Sequence, residues 1–148
     1  MVTSDIAHYG CAYAESGVDF LTQTAAPKGV TTILTNPPFM HAGEFVRHAL
    51  TLVPRVVMLL RLGFLESQSR SDILDGGRFA RIHVFRNRLP MMHRDGWDGP
   101  HTSSALAFAW FVWDANHRGP WTGQRISWGP TGPLSAALDR LAGEEPAP

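Results

Sequence analysis

A β-branched run that ends at two adjacent prolines constrains this chain more than any other feature. Val30 to Thr35 reads Val-Thr-Thr-Ile-Leu-Thr, the composition of a strand. Pro37 and Pro38 have no amide hydrogen to give to a sheet ladder, so the strand must stop at about Asn36. From His41 to Val53 the apolar residues fall at Ala42, Phe45, Val46, Ala49, Leu50 and Val53, the spacing of a helix with one buried face. After Pro54, Val56 to Leu60 is unbroken apolar sequence, which predicts a strand buried on both faces, as in a parallel sheet. This alternation of short apolar runs with amphipathic or turn-rich segments predicts an α/β fold.

The remaining segments fit that scheme. Val2 to Ile6 reads as a short strand ending at an acidic residue, and Val18 to Leu21 is a second brief apolar stretch. Pro27-Lys28-Gly29 makes a turn. Ser67 to Leu74 predicts a helix closed by Gly76-Gly77, and Ile82 to Phe85 a further strand. Ala105 to Trp113 is the most apolar stretch and predicts a core strand, with Trp110 and Trp113 inside. Leu89 to Ser104 reads as the loop between these two. Leu134 to Leu141 has helical spacing, and Glu144 to Pro148 should fray. The organisation expected is therefore one domain over residues 1–130 and a helix with a flexible tail over 131–148.

Composition narrows the class. At 148 residues, 44% hydrophobic and 10% aromatic, the chain is too apolar for a disordered segment and suits a single domain. Thirteen basic residues against thirteen acidic exclude a strongly cationic, histone-like binder but not a local basic patch. Cys11 is the single cysteine and cannot form an internal disulfide, so a reducing, cytoplasmic setting is expected. No apolar run approaches the roughly 20 residues of a membrane span, and the first residues lack the pattern of a signal peptide. His41 and His48 share a helical face without a cysteine or carboxylate at metal spacing, so no metal is expected.

The chemistry sits in Thr35-Asn36-Pro37-Pro38-Phe39, directly after a strand and before a helix. In a parallel α/β sheet ligands bind at the carboxyl ends of the strands. Two prolines stiffen the backbone, so Asn36 would project from a rigid turn. Its side-chain carbonyl and a backbone carbonyl are two acceptors suited to both hydrogens of a planar amino group. Phe39 offers a face for stacking a flat ring. Held by both hydrogens, the amine nitrogen is drawn towards tetrahedral geometry, which frees its lone pair to attack. Accurate positioning then supplies much of the rate. The blander reading of Asn-Pro-Pro is a simple turn.

Asn36-Pro37-Pro38-Phe39 resembles the catalytic motif of S-adenosylmethionine-dependent methyltransferases that modify exocyclic or amide nitrogens. Ser4-Asp5-Ile6 followed by Tyr9-Gly10 is similar to the end of that fold's second strand, where the acidic residue binds the cofactor ribose. Gly17-Val18-Asp19-Phe20-Leu21 resembles the next segment, which places Asp19 and Phe20 near the cofactor adenine. The runs Leu59 to Glu66, Leu89 to Arg94 and Ala107 to Trp113 resemble phage- and prophage-type N6-adenine DNA methyltransferases. Together these segments cover roughly residues 2 to 128. The resemblance implies a Rossmann-like methyltransferase fold with a terminal antiparallel pair, Ile82–Phe85 with Ala105–Trp113. It implies methyl transfer from S-adenosylmethionine to adenine N6 in DNA. Asn36 and Pro37 would hold the amine in the Pro37-Pro38 turn, Phe39 would stack on the base, and Asp5, Ile6, Asp19 and Phe20 would contact the cofactor. In the family a strand and glycine-rich turn precede the acidic segment, and no Gly-x-Gly occurs in this sequence. A fold truncated at its N-terminus is therefore expected, completed by a missing segment or a partner chain. RNA bases, protein glutamine, and a non-catalytic remnant or subunit remain the alternatives.

Between Arg78 and Arg94 lie five arginines (Arg78, Arg81, Arg86, Arg88, Arg94), two histidines and no acidic residue. A phosphate-contacting face through Arg86, Arg88 and Arg94 is one reading and a solvated strand edge the other. The loop Met91 to Gly99, with Trp97, would contact a flipped-out base or only cover the sheet.

Overall fold

In the computed structural model, which describes residues 1–8, 10, 12–89 and 105–127, the first strands are minimal. β1 (Ser4–Asp5) and β2 (Glu15–Ser16) pair in parallel as a separate two-stranded sheet. A 3₁₀ turn over Phe20–Thr22 takes up the end of the Val18–Leu21 stretch. The turn at Pro27-Lys28-Gly29 closes with the Val30 amide donating to the Pro27 carbonyl at 3.0 Å, and Gly29 there has φ +83°, which disfavours a side chain. β3 (Thr32–Thr35) ends one residue before Asn36, as the prolines require. A 3₁₀ turn over Phe39–His41 leads into α1 (Ala42–Leu52), which buries Ala42, Val46 and Ala49.

The main sheet has the order β3-β4-β6-β5-β7. β4 is Arg55–Arg61, β5 Phe79–Phe85, β6 Phe108–Asp114 and β7 Thr122–Ile126. A 3₁₀ turn over Leu62–Glu66, another over Gln68–Arg70, and the one-turn helix α2 (Ser71–Leu74) link β4 to β5. β3 runs parallel to β4, whereas β6 runs antiparallel to both its neighbours, β4 and β5. Val56, Met58 and Leu60 of β4 and Ala109, Phe111 and Trp113 of β6 point to one face, where they meet α1, Phe64, Ile73 and Phe79 in a single core. Phe111 is stacked on Phe79 at 5.8 Å and edge-on to Phe64 at 5.5 Å. Trp113 is fully buried and its indole N–H donates to the Ile73 carbonyl at 2.7 Å, which satisfies the one polar group it brings inside.

Three expectations change. β4 is not buried on both faces: Val57 and Leu59 are half-buried, alternating with the buried residues, because the helices lie against one side of the sheet. Ile82–Phe85 and Ala105–Trp113 fall in neighbouring antiparallel strands, but the pair is not terminal. β6 is the middle strand, and β7 adds in parallel outside β5. Trp110 is half-buried rather than core. Tyr9, Cys11, the loop from Pro90 to Ser104 and the 131–148 tail lie outside the described residues, as does the boundary at residue 130. Among the described residues no helix is long and apolar enough to cross a membrane, and no group of three metal-ligating side chains gathers.

Asp114 closes the sheet beside β4. Its carboxylate accepts from Arg55 Nη2 at 2.9 Å and Nε at 3.2 Å, and from the Asn116 amide at 2.9 Å. The Asn116 amide and the Arg55 guanidinium hold it below the usual carboxylate range. It therefore binds its proton less readily folded than unfolded. Its stabilising contribution is complete at neutral pH and is lost as the pH falls through the depressed folded-state value. Asp114→Asn should cost about 1 kcal/mol at pH 7, discounted because Arg55 is solvent-exposed. Urea unfolding across a pH series should show that deficit shrinking below about pH 4, the ordinary carboxylate value. A variant matching the parent at every pH contradicts this role.

Candidate functional site

Between the small sheet and the edge of the main sheet lies a cavity of about 1040 Å³, at the large end of the usual range for ligand sites. Besides β3 and the turn before it, four places contribute walls. β1 and the residues around it contribute Asp5 and Ile6, and the first 3₁₀ turn contributes Asp19 and Phe20. The proline turn contributes Asn36, Pro37, Pro38 and Phe39, and the start of α1 brings His41, Glu44 and Phe45. All eight residues that the sequence singles out for cofactor and amine therefore line one space.

Each is held by local chemistry. Pro37 is buried, and the Pro38 carbonyl accepts the His41 amide at 3.0 Å, so the turn is pinned at both ends. Asn36, just before this turn, is exposed, and its side-chain amide has no hydrogen-bond partner among the described residues. Phe39 is 39% exposed; its ring lies 5.5 Å from that of Phe108, and the Arg61 guanidinium sits 4.3 Å from its centroid. Phe20 is stacked on Phe45 at 5.1 Å and edge-on to His48 at 5.1 Å, which fastens the 3₁₀ turn to α1. His41 Nδ1 pairs with Glu44 Oε2 at 3.1 Å on the cavity rim.

The two aspartates are less free than the sequence implies. Asp5 Oδ1 accepts the Ala7 amide at 2.8 Å, and Asp19 Oδ1 accepts the Leu21 amide at 3.0 Å. Each carboxylate thus spends an oxygen on its own turn and keeps the other for a ligand. Asp19 is a helix-cap residue as well as a cavity residue. That role follows from an acid two residues before an N–H with no helical partner, a signal present in Asp19-Phe20-Leu21 but not read there.

Four acidic residues (Asp5, Glu15, Asp19 and Glu44), an aromatic wall and the exposed apolar side chains of Ile6 and Leu34 suit a nucleoside, with its hydroxyl-bearing ribose and flat base. They suit the nucleoside part of S-adenosylmethionine. No glycine is among the described lining residues, and the sequence has no Gly-x-Gly to cradle its charged methionine part.

The arginine cluster lies elsewhere. Arg86 lies in a bend directly after β5 and Arg88 two residues further, so neither stands on the strand. The Arg86 amide donates to the Ile126 carbonyl at 2.8 Å, continuing the β5–β7 edge. Neither lines the cavity, and Arg94 is outside the described residues. Arg81 is exposed on β5 next to His83, whose pKa is lowered by burial and by that charge.

No family model matches the chain, and no curated protein matches it. Among solved structures, a crystal structure of the M1.HpyAVI–SAM complex matches at 18% identity with a TM-score of 0.31 over 76% of this chain. The chain spans 63% of the length of that relative. A match of this extent assigns neither family nor chemistry.

The cap and ligand roles of Asp19 separate by mutation. Asp19→Asn keeps an acceptor for the Leu21 amide and should leave stability within about 0.5 kcal/mol, whereas Asp19→Ala should cost about 1 kcal/mol. Thermal unfolding of both variants checks this. Equal losses would remove the cap from the account.

Proposed function

We propose that the chain serves methyl transfer from S-adenosylmethionine to an exocyclic amino group, with N6 of adenine in DNA as the acceptor. The observation that carries this reading is the meeting of Asp5, Asp19, Phe20 and the Asn36–Phe39 turn around one cavity at the carboxyl end of β3. Sequence resemblance supplies the roles, and the cavity supplies a common place for them.

When bound, the cofactor supplies a methyl group on a positively charged sulfur. The chain's own residues do the rest. Asp5 and Asp19 offer carboxylate oxygens to ribose hydroxyls and base nitrogens. Asn36, exposed and without a hydrogen-bond partner among the described residues, accepts a hydrogen of the target amine through Oδ1, and the backbone of the rigid proline turn accepts the other. Phe39 presents ring surface to a base turned out of its stack. No activated serine or cysteine is needed.

β3 is an edge strand, and both it and β1 line the cavity. A further strand carrying a glycine turn, from another segment or a partner chain, is the proposed completion of the cofactor site. The isolated chain should accordingly bind S-adenosylmethionine weakly.

Transfer of labelled methyl from S-adenosylmethionine at millimolar concentration into adenine-containing DNA tests the reading directly. Incorporation at adenine, reduced by at least about a hundredfold in Asn36→Ala, is expected, the scale of losing one preorganised transition-state hydrogen bond. Label in glutamine side chains or guanine instead would move the acceptor. Full turnover by the variant would take Asn36 out of the mechanism.

A further inference from the structure

Arg61 is the last residue of β4 and stands in register with Phe108, the first residue of β6. Phe39, arriving from the proline turn, touches both: its centroid is 4.3 Å from the Arg61 guanidinium carbon and its ring 5.5 Å from Phe108. Three separate segments thus meet at Phe39, which itself lines the cavity. Arg61 is exposed, and among the described residues it has neither a carboxylate partner nor a side-chain hydrogen bond. Other arginines spend their N–H groups within the fold: Arg47 on Asp72, Arg55 on Asp114, and Arg70, Arg78 and Arg118 on the backbone carbonyls of Phe64, Leu50 and Ala115.

A guanidinium lying against a ring keeps its donors directed outward, because cation–π contact uses its face and leaves its edge. At Arg61 this leaves a fork of donors, uncommitted among the described residues, beside the ring proposed to receive the base. Such a fork matches two oxygens of a phosphate. We infer that Arg61 binds the phosphodiester adjoining the acceptor base, so that Phe39 takes the base while Arg61 holds its backbone. The acceptor is then a nucleotide in a nucleic-acid strand and not a protein amide, which brings no phosphate. This rests on the proposed acceptor site at Asn36 and Phe39.

The test is equilibrium binding of the full chain to a fluorescein-labelled single-stranded DNA containing one adenine, read by anisotropy. Two further probes have neutral methylphosphonate linkages flanking that adenine, or an abasic position in its place. The parent should lose about tenfold in affinity on the neutral-linkage probe, the scale of one hydrogen bond to a charged group. Arg61→Gln should bind the charged probe about as weakly and gain nothing further from neutralising the linkages. Its log–log salt slope should fall by roughly 0.7, the value for one single-strand phosphate contact. Phe39→Leu should erase the preference for adenine over the abasic probe and keep the salt slope. If Arg61→Gln binds like the parent, or its loss is equal on charged and neutral probes, the phosphate contact is overturned. An effect of Phe39→Leu in that case leaves the acceptor site standing. No binding by the parent, or no effect of either variant, overturns both. Arg61 is exposed, and circular dichroism should show each variant folded.

Discussion

Two peptide nitrogens without hydrogens set the geometry on which the rest of the protein depends. Pro37 and Pro38 end β3 after four residues, and the backbone that can no longer pair turns into α1 within three more. Because Pro37 is buried, the turn is anchored in the protein while Asn36, one residue earlier, stays in solvent. Asn36 is thus presented by a segment with little freedom to move. Phe39 follows at the distance that lets it reach Arg61 and Phe108 across the ends of two other strands.

That turn needs a rigid floor, which the core provides. α1 lays Val46 and Ala49 on the buried face of β4 and β6, and the aromatic group of Phe64, Phe79, Phe111 and Trp113 completes the same core. The strand in the centre is β6, antiparallel to both neighbours. The cavity forms where this floor ends: beyond β3 the main sheet stops, and the two-residue strands β1 and β2 stand apart from it. A two-stranded pair this short has little stability of its own. Phe20 stacked on Phe45 ties the following 3₁₀ turn to α1, and acidic residues from outside the main sheet line the same cavity as Asn36.

The sequence was most legible where one local force dominates. β3, α1 and β4 follow from β-branching, helical spacing and an apolar run, and each appears within one or two residues of its expected limits. Direction and sheet order were not legible in the same way. An apolar alternation such as Phe108–Asp114 suits a parallel or an antiparallel neighbour equally, so the central place of β6 is decided by tertiary pairing. β7 escaped because Thr-Gly-Gln-Arg-Ile is almost wholly exposed and has no apolar stripe, and its pairing with β5 comes from the backbone. The candidate site was legible as a set of residues, since Asp5, Asp19 and Asn36 each follow or end a short apolar segment. Its outer rim was not: Arg61 lies 22 positions after Phe39, and only the fold puts one over the other.

The central claim is that the cavity between β1 and β3 is the place where a nucleoside-bearing methyl donor binds. Photo-crosslinking with methyl-labelled S-adenosylmethionine, followed by peptide mapping, addresses it without requiring turnover. The account predicts label on peptides containing residues 2–7, 18–23 or 32–39, reduced when unlabelled S-adenosylhomocysteine competes and when Asp5 is changed to Ala. Competable label confined to β5, β7 or the α2 region, with none on those peptides, would contradict it.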